Sequence, residues 1–159
     1  GTPGMQHRIG GLEKWEETGH VSYDPENHQR MVELRQNKVD IIARDIAPAK
    51  PFGKESGDLL VIGWGGTHGA IRSAVETAQD EGMSVSHLHL RHLNPFPKNL
   101  GEILVKFQKV MIAELNLGQL STIIRSKFLV DAVGLNKIQG KPFTQTEVYN
   151  EITKLVKGA

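Results

Sequence analysis

From about residue 57 onward, short unbroken apolar runs alternate with longer stretches in which apolar residues recur every three or four positions. The first run, Leu59-Leu60-Val61-Ile62, has no polar residue to turn toward water, as expected of a strand covered on both faces in a parallel sheet. Ala70, Ile71, Ala74, Val75 and Ala78 follow at helical spacing opposite Arg72, Glu76, Gln79 and Asp80, with Gly82 placed to end the helix. A second strand is predicted from about Val85 to Leu93. Pro97 then opens a helix carrying Leu100, Ile103, Leu104 and Phe107 on one face. Val110–Ala113 reads as a third strand, Leu120, Ile123, Ile124 and Phe128 as the stripe of a helix after Gly118, and Leu129–Val133 as a fourth strand. Thr144 and Glu147 have capping-box spacing ahead of Val148, Ile152, Leu155 and Val156. The order βαβαβαβα predicts an α/β fold, a mostly parallel open sheet with helices on both faces.

The first 56 residues read differently. Gly1 to Tyr23 holds five glycines, few apolar residues and no period, and so reads as an extended arm with no core of its own. Asp24-Pro25 supplies an N-cap and a first-turn proline, predicting a helix over about 26–43 with a partial stripe of Met31, Leu34, Ile41 and Ile42. Asp45 to Gly57, with Pro48 and Pro51, resembles a linker. The expected organisation is residues 1–56 as arm, helix and linker, and residues 57–159 as the α/β domain.

Composition narrows the function. At 159 residues the chain holds one ordinary domain plus an arm. Its 19 basic and 18 acidic side chains give no field for a polyanion, so nucleic acid is not an expected partner. Cysteine is absent, which excludes disulfides, cysteine nucleophiles and cysteine-ligated clusters on this polypeptide. No apolar stretch approaches the roughly 18 residues of a membrane span, and no signal-peptide pattern opens the chain, so a cytoplasmic protein is expected.

Right-handed crossovers bring the segments after the strands to one edge, where ligands of open α/β sheets bind. Those segments are 63–69, 91–96, 114–119 and 134–139. The glycine turn Gly63-Trp64-Gly65-Gly66-Thr67-His68-Gly69 lies between strand and helix, but its spacing misses the dinucleotide fingerprint G-x-G-x-x-G by one residue. The second strand also ends in Arg91-His92-Leu93 with no ribose-binding carboxylate; Arg91 would suit a 2′-phosphate instead. The glycines equally allow close approach of a neighbouring helix or chain. His87 and His89 share a strand face, yet with no cysteine or interleaved carboxylate they read as strand histidines and no metal site is assigned. Glu114, directly after an apolar strand, is either a desolvated acid or base or the cap of the helix that follows. No catalytic constellation assembles.

Longer motifs carry a family resemblance. GTPG, HRIGGLE, EETG and VSYDPENH, then LLVIGWGGTHGAI, HLRHLNPFPKNLGEIL, ELNLGQL and VGLNKIQGKPF, resemble the C-terminal part of the alpha subunit of 2-oxoacid:ferredoxin oxidoreductases, particularly the 2-oxoglutarate type. The resemblance implies a transketolase C-terminal-like domain. It implies a complex that uses thiamine diphosphate with Mg2+, passes electrons through an iron–sulfur cluster to ferredoxin, and delivers the acyl group to coenzyme A. It further implies that the chain is a C-terminal fragment whose partners are the beta subunit and the remaining alpha-subunit domains, that it holds none of these cofactors alone, and that it is inactive in isolation. His68 departs from the family pattern, which often has a small or aromatic residue there. Gly65, Thr67, Asn94, Pro95, Glu114, Asn116 and Gln119 match it, and with Gly69 and Arg91 they are expected at subunit or ligand contacts. The competing reading is a stand-alone module binding a nucleotide or coenzyme through residues 63–69 and Arg91.

Overall fold

The structure, a computed structural model, describes residues 2–6 and 9–158, and the chain divides into two compact units, Gly1–Asp45 and Ile46–Ala159. In the first, helix α1 spans Pro25–Ile41 and tightens into a 3-10 turn over Ile42–Arg44. It starts where Asp24 and Pro25 direct it: the Asp24 carboxylate accepts the Asn27 N–H at 2.8 Å. The described part of the arm is not simply extended. Residues 13–22 double back, with Trp15 N–H donating to His20 O at 2.8 Å and Ser22 N–H to Glu13 O at 2.9 Å. Asn27 Nδ2 fastens this turn to α1 by donating to Lys14 O at 2.9 Å. The Arg35 guanidinium forks onto both Glu13 oxygens at 3.2 and 3.1 Å and, with His28, holds that carboxyl down to about 2. Of the stripe expected on α1, Leu34, Ile41 and Ile42 are exposed.

The second unit is the expected α/β fold. Strands β1 (Gly57–Trp64), β2 (Val85–Leu90), β3 (Phe107–Glu114) and β4 (Ala132–Asn136) form one parallel sheet in the order β2-β1-β3-β4. Helices α2 (His68–Asp80) and α5 (Gln145–Lys157) pack on one face, α3 (Leu100–Leu104) and α4 (Gln119–Phe128) on the other. The two-sided covering explains the unbroken apolar run of β1: Leu59 and Val61 enter the α2/α5 layer while Leu60 and Ile62 enter the α3/α4 layer, all four fully buried.

Thr144 and Glu147 form the expected reciprocal cap of α5. Three boundaries and one helix face differ from the pattern. β2 ends at Leu90, so Arg91 opens a loop. α3 is only five residues long, and Phe107 begins β3 because its ring is buried from a strand position, which helical spacing imitates. Ile123 lies on the outer side of α4, 47% exposed, while Ser121 takes the buried place. The fourth strand begins at Ala132, not Leu129: Leu129 turns left-handed (φ 54°) to end α4 and stands in solvent.

Residues 46–56 belong to the second unit and run onto β2. Phe52 makes an isolated antiparallel bridge with His87, and Asn99 exchanges two hydrogen bonds with the Ala49 backbone at 2.9 and 2.8 Å.

Candidate functional site

The strand register places one polar side chain at the end of the central apolar strand. Glu114 follows Val110 and Ile112 onto the α3/α4 face and is fully buried. Its Oε1 accepts the Ser121 N–H at 2.9 Å, and its Oε2 accepts the Leu120 N–H at 2.9 Å. Those are first-turn amides of α4, which have no partner inside their own helix and lie at the positive end of its dipole. The same Oε2 accepts Asn116 Nδ2 at 3.0 Å and the Trp64 indole N–H at 3.4 Å. Four donors therefore occupy the buried carboxyl, and a residue at the end of β3 caps the next helix.

Asn116 continues the network. Its Oδ1 accepts the N–H groups of Gly118 (2.7 Å) and Gln119 (3.2 Å), and its carbonyl accepts Asn136 Nδ2 at 3.0 Å. Gly118 adopts φ 96° between them, and an added Cβ would lie 3.3 Å from Asn136 Nδ2. Lys137 N–H donates to Glu114 O at 3.1 Å, while its ammonium bonds both Glu147 oxygens at 2.7 and 2.8 Å. That ammonium, with the Thr144 amide, holds the Glu147 carboxyl down to about 2.

In the glycine turn, Thr67 is buried and its hydroxyl closes on Trp64, donating to the carbonyl at 2.9 Å and accepting from the amide at 3.1 Å. Gly63 is sterically required: a Cβ would sit 2.3 Å from Ile71 Cδ1 and 2.5 Å from Thr67 Oγ1. Gly65, in a left-handed turn, and Gly69 would meet nothing within 4 Å, so that side of the turn is open within this chain. Of the sequence-derived candidates, Glu114, Asn116 and the backbone of Gln119 thus join one network, Gly65, Thr67 and Gly69 form the adjoining turn, and Arg91, Asn94 and Pro95 lie outside that network on the loop after β2. Arg91 and Asn94 are exposed there and Pro95 is buried.

Sequence reasoning missed a second polar cluster, on the opposite face. His87 and His89 share the α2 face of β2 as expected, but His68, the first residue of α2, joins them. The ring centroids lie 5.4 Å (His68–His87), 4.9 Å (His68–His89) and 5.9 Å (His87–His89) apart. His87 Nε2 and His89 Nδ1 are buried without a hydrogen-bond partner. Burial first, then His68, His89 and Arg72, push the His87 imidazole down to about 3, and burial with His68 and Arg91 lowers His89. Among the described residues, no group of three or more His, Cys, Asp or Glu side chains is arranged to hold a metal ion, and no helix is long and apolar enough to cross a membrane. The only signal for His68 in the sequence was its place one residue after Thr67 in the turn.

This architecture has known counterparts. The family profile of pyruvate:ferredoxin oxidoreductase core domain II matches residues 57–148. The 2-oxoglutarate oxidoreductase subunit KorA of Mycobacterium tuberculosis is 46% identical over 99% of the chain. The chain belongs to the 2-oxoacid:ferredoxin oxidoreductase family. The chain spans 24% of the length of that curated relative. A solved 2-oxoglutarate:ferredoxin oxidoreductase from Magnetococcus marinus, with 2-oxoglutarate, coenzyme A and succinyl-CoA bound, superposes on 98% of the chain and 28% of its own with a TM-score of 0.89 and 30% identity. A split-gene transketolase, 19% identical with a TM-score of 0.54 over 70% of this chain and 43% of its own, shares the fold. Membership of the oxidoreductase family thus goes with the transketolase-like sheet anticipated from the motifs.

Proposed function

We propose that the chain is the C-terminal domain of the alpha subunit of a cytoplasmic 2-oxoglutarate:ferredoxin oxidoreductase. It braces the subunit assembly that oxidatively decarboxylates the oxoacid to an acyl-CoA. The observation that carries this reading is the correspondence of 98% of the chain to 28% of a chain of such an enzyme, with a TM-score of 0.89. The site chemistry agrees with a bracing role. Glu114 is the one fully buried carboxylate named at the sheet's binding edge, and both its oxygens are already occupied by donors of this chain.

The cofactors implied by the family are thiamine diphosphate, Mg2+ and an iron–sulfur cluster. The sequence has no cysteine to hold a cluster, and among the described residues no group of three or more His, Cys, Asp or Glu side chains is arranged around a common ion. The chain's expected partners are the beta subunit and the other alpha-subunit domains, with ferredoxin and coenzyme A acting on the assembled complex. The open side of the turn at Gly65 and Gly69, with exposed Arg91 and Asn94, is offered to those partners.

The test is reconstitution. The full alpha and beta subunits should show coenzyme A-dependent electron transfer from 2-oxoglutarate to ferredoxin, and the isolated 159-residue chain should show none. Calorimetric titration of the isolated chain with NADP and with coenzyme A decides against the stand-alone module if neither binds in the micromolar range. Turnover by the isolated chain, or a complex that is fully active without it, would defeat the proposal.

A further inference from the structure

Residues 46–56 form a strap that lies along the outer edge of β2 before the chain turns into β1. Asn99 holds it at Ala49 through two hydrogen bonds, and His87 is its backbone fastening to β2. Phe52 N–H donates to His87 O at 2.7 Å, and His87 N–H returns a bond to Phe52 O at 3.0 Å. Ser86 Oγ donates to Lys54 O at 2.8 Å. Gly53 passes so close that a Cβ would lie 2.5 Å from Gln79 Nε2. Residues paired directly across a ladder project their side chains to the same face. The Phe52 ring and the His87 imidazole are therefore neighbours on the α2 side, where the Arg72 guanidinium stands 3.1 Å from the Phe52 ring centroid.

One residue thus joins the strap through its backbone and lies buried beside it through its side chain. His87 is 2% exposed and its Nε2 has no partner. The groups that bear on it are His68 and Arg72 from α2 and His89 from its own strand. Arg72 is paired with Glu76 at 2.6 Å, and the strap's Lys50, Lys54 and Glu55 are exposed. Among the described residues no carboxylate bears on His87. A proton added at the buried Nε2 finds neither a hydrogen-bond partner nor a counter-charge while the strap is closed.

The geometry points to a proton-released latch, in which acidification unfastens residues 46–56 from the β2 edge through His87 while the parallel sheet stays folded. Release bares the outer backbone groups of β2 for pairing with another strand. It also frees the segment between Ala49, which Asn99 still holds, and β1, roughly 23 Å when extended at about 3.3 Å per residue. In the closed state burial and the neighbouring histidines hold His87 down to about 3, so it takes up its proton only on opening. Below about pH 6.5, each unit of acid then favours the open form by up to tenfold, until pH 3 is reached.

The test is amide hydrogen exchange on the full chain from pH 7.5 to 4.5, expressed as protection relative to the intrinsic rate at each pH. The Phe52 and His87 amides should lose up to about a hundredfold of their protection between pH 6.5 and 4.5, while Leu60, Ile62 and Ile112 keep theirs. In His87→Gln, which keeps the backbone bonds and cannot titrate, the Phe52 protection should be flat across the same range. Independently of that variant, the His87 ring resonances of the unmodified protein should titrate in step with strap release. Constant Phe52 protection, a fall shared equally with β1, or a His87 ring that titrates while the strap stays closed would each overturn the latch.

Discussion

Glu114 and His87 are buried on opposite faces of the sheet and are treated in opposite ways. Glu114, on the α3/α4 face, has four donors for its two oxygens. His87, on the α2/α5 face, has a ring nitrogen with none. A buried charge is tolerable only when its lost hydration is replaced, whereas a neutral imidazole survives burial by giving up its proton. The first group is therefore a fixed keystone tying β3 to α4 and to Trp64. The second stores a dependence on pH.

The sharpest way to break this comparison is to remove the keystone. Glu114→Ala strands the Leu120 and Ser121 amides and the indole N–H in the interior, and should lower unfolding stability by roughly 3–5 kcal/mol in chemical denaturation. Glu114→Gln keeps one acceptor and should lose less. If Ala costs under 1 kcal/mol, the network is not what holds α4 in place.

Acid titration acts next on the other face. His87 binds its proton near pH 6.5 when unfolded and near 3 when folded. Above 6.5 the residue is neutral in both states and contributes no pH dependence; as pH falls from 6.5 toward 3 the unfolded state binds more protons and stability is lost, by up to about 4 kcal/mol. His87→Leu removes the unpaired nitrogen, so it should leave stability at pH 7.5 unchanged or raised and flatten the acid limb of a thermal-melt series. A wild-type acid limb retained in His87→Leu would assign that loss to other groups.

A smaller loss is expected in the glycine turn. Gly63→Ala drives a methyl into Ile71 and Thr67 and should cost about 1–3 kcal/mol, whereas Gly69→Ala, facing open space, should be nearly silent in the isolated chain. In the assembled complex Gly69→Ala should instead weaken subunit association, read by size-exclusion chromatography of alpha with beta subunits. The least effect belongs to Glu13→Gln in the first unit. It removes an exposed pair with Arg35 whose contribution is present above the ordinary carboxylate range and fades as pH falls toward 2, with a strong dependence on salt.

Much of the second unit was legible because its signals are short-ranged. The apolar runs at Leu59–Ile62 and Val110–Ala113 report burial on two faces, and Thr144 with Glu147 reports a helix start, each through neighbours within a few positions. Errors arose where two periods overlap. Phe107 stands at a helical interval from Leu100, Ile103 and Leu104, and only the pairing of Phe107 with Gly57 assigns it to a strand. Leu129 looked like strand because it is apolar; it ends a helix with its side chain in water. The strap was hidden for a related reason: proline, glycine and charge describe a solvated linker and an edge-bound segment equally well.

Taken by itself, the sequence determined the alternation of strands and helices, their capped starts at Asp24 and Thr144, the absence of cysteine chemistry, and the family. The elements and their caps depend on side-chain type at spacings shorter than two turns of helix, and the family on longer motifs spread along the chain. Only the tertiary structure decided that Trp64 meets Glu114, that His68 meets His87 and His89, and that Phe52 covers the edge at His87. These contacts follow from the strand order β2-β1-β3-β4 and from the face each side chain takes, and neither is encoded in any local stretch of the chain.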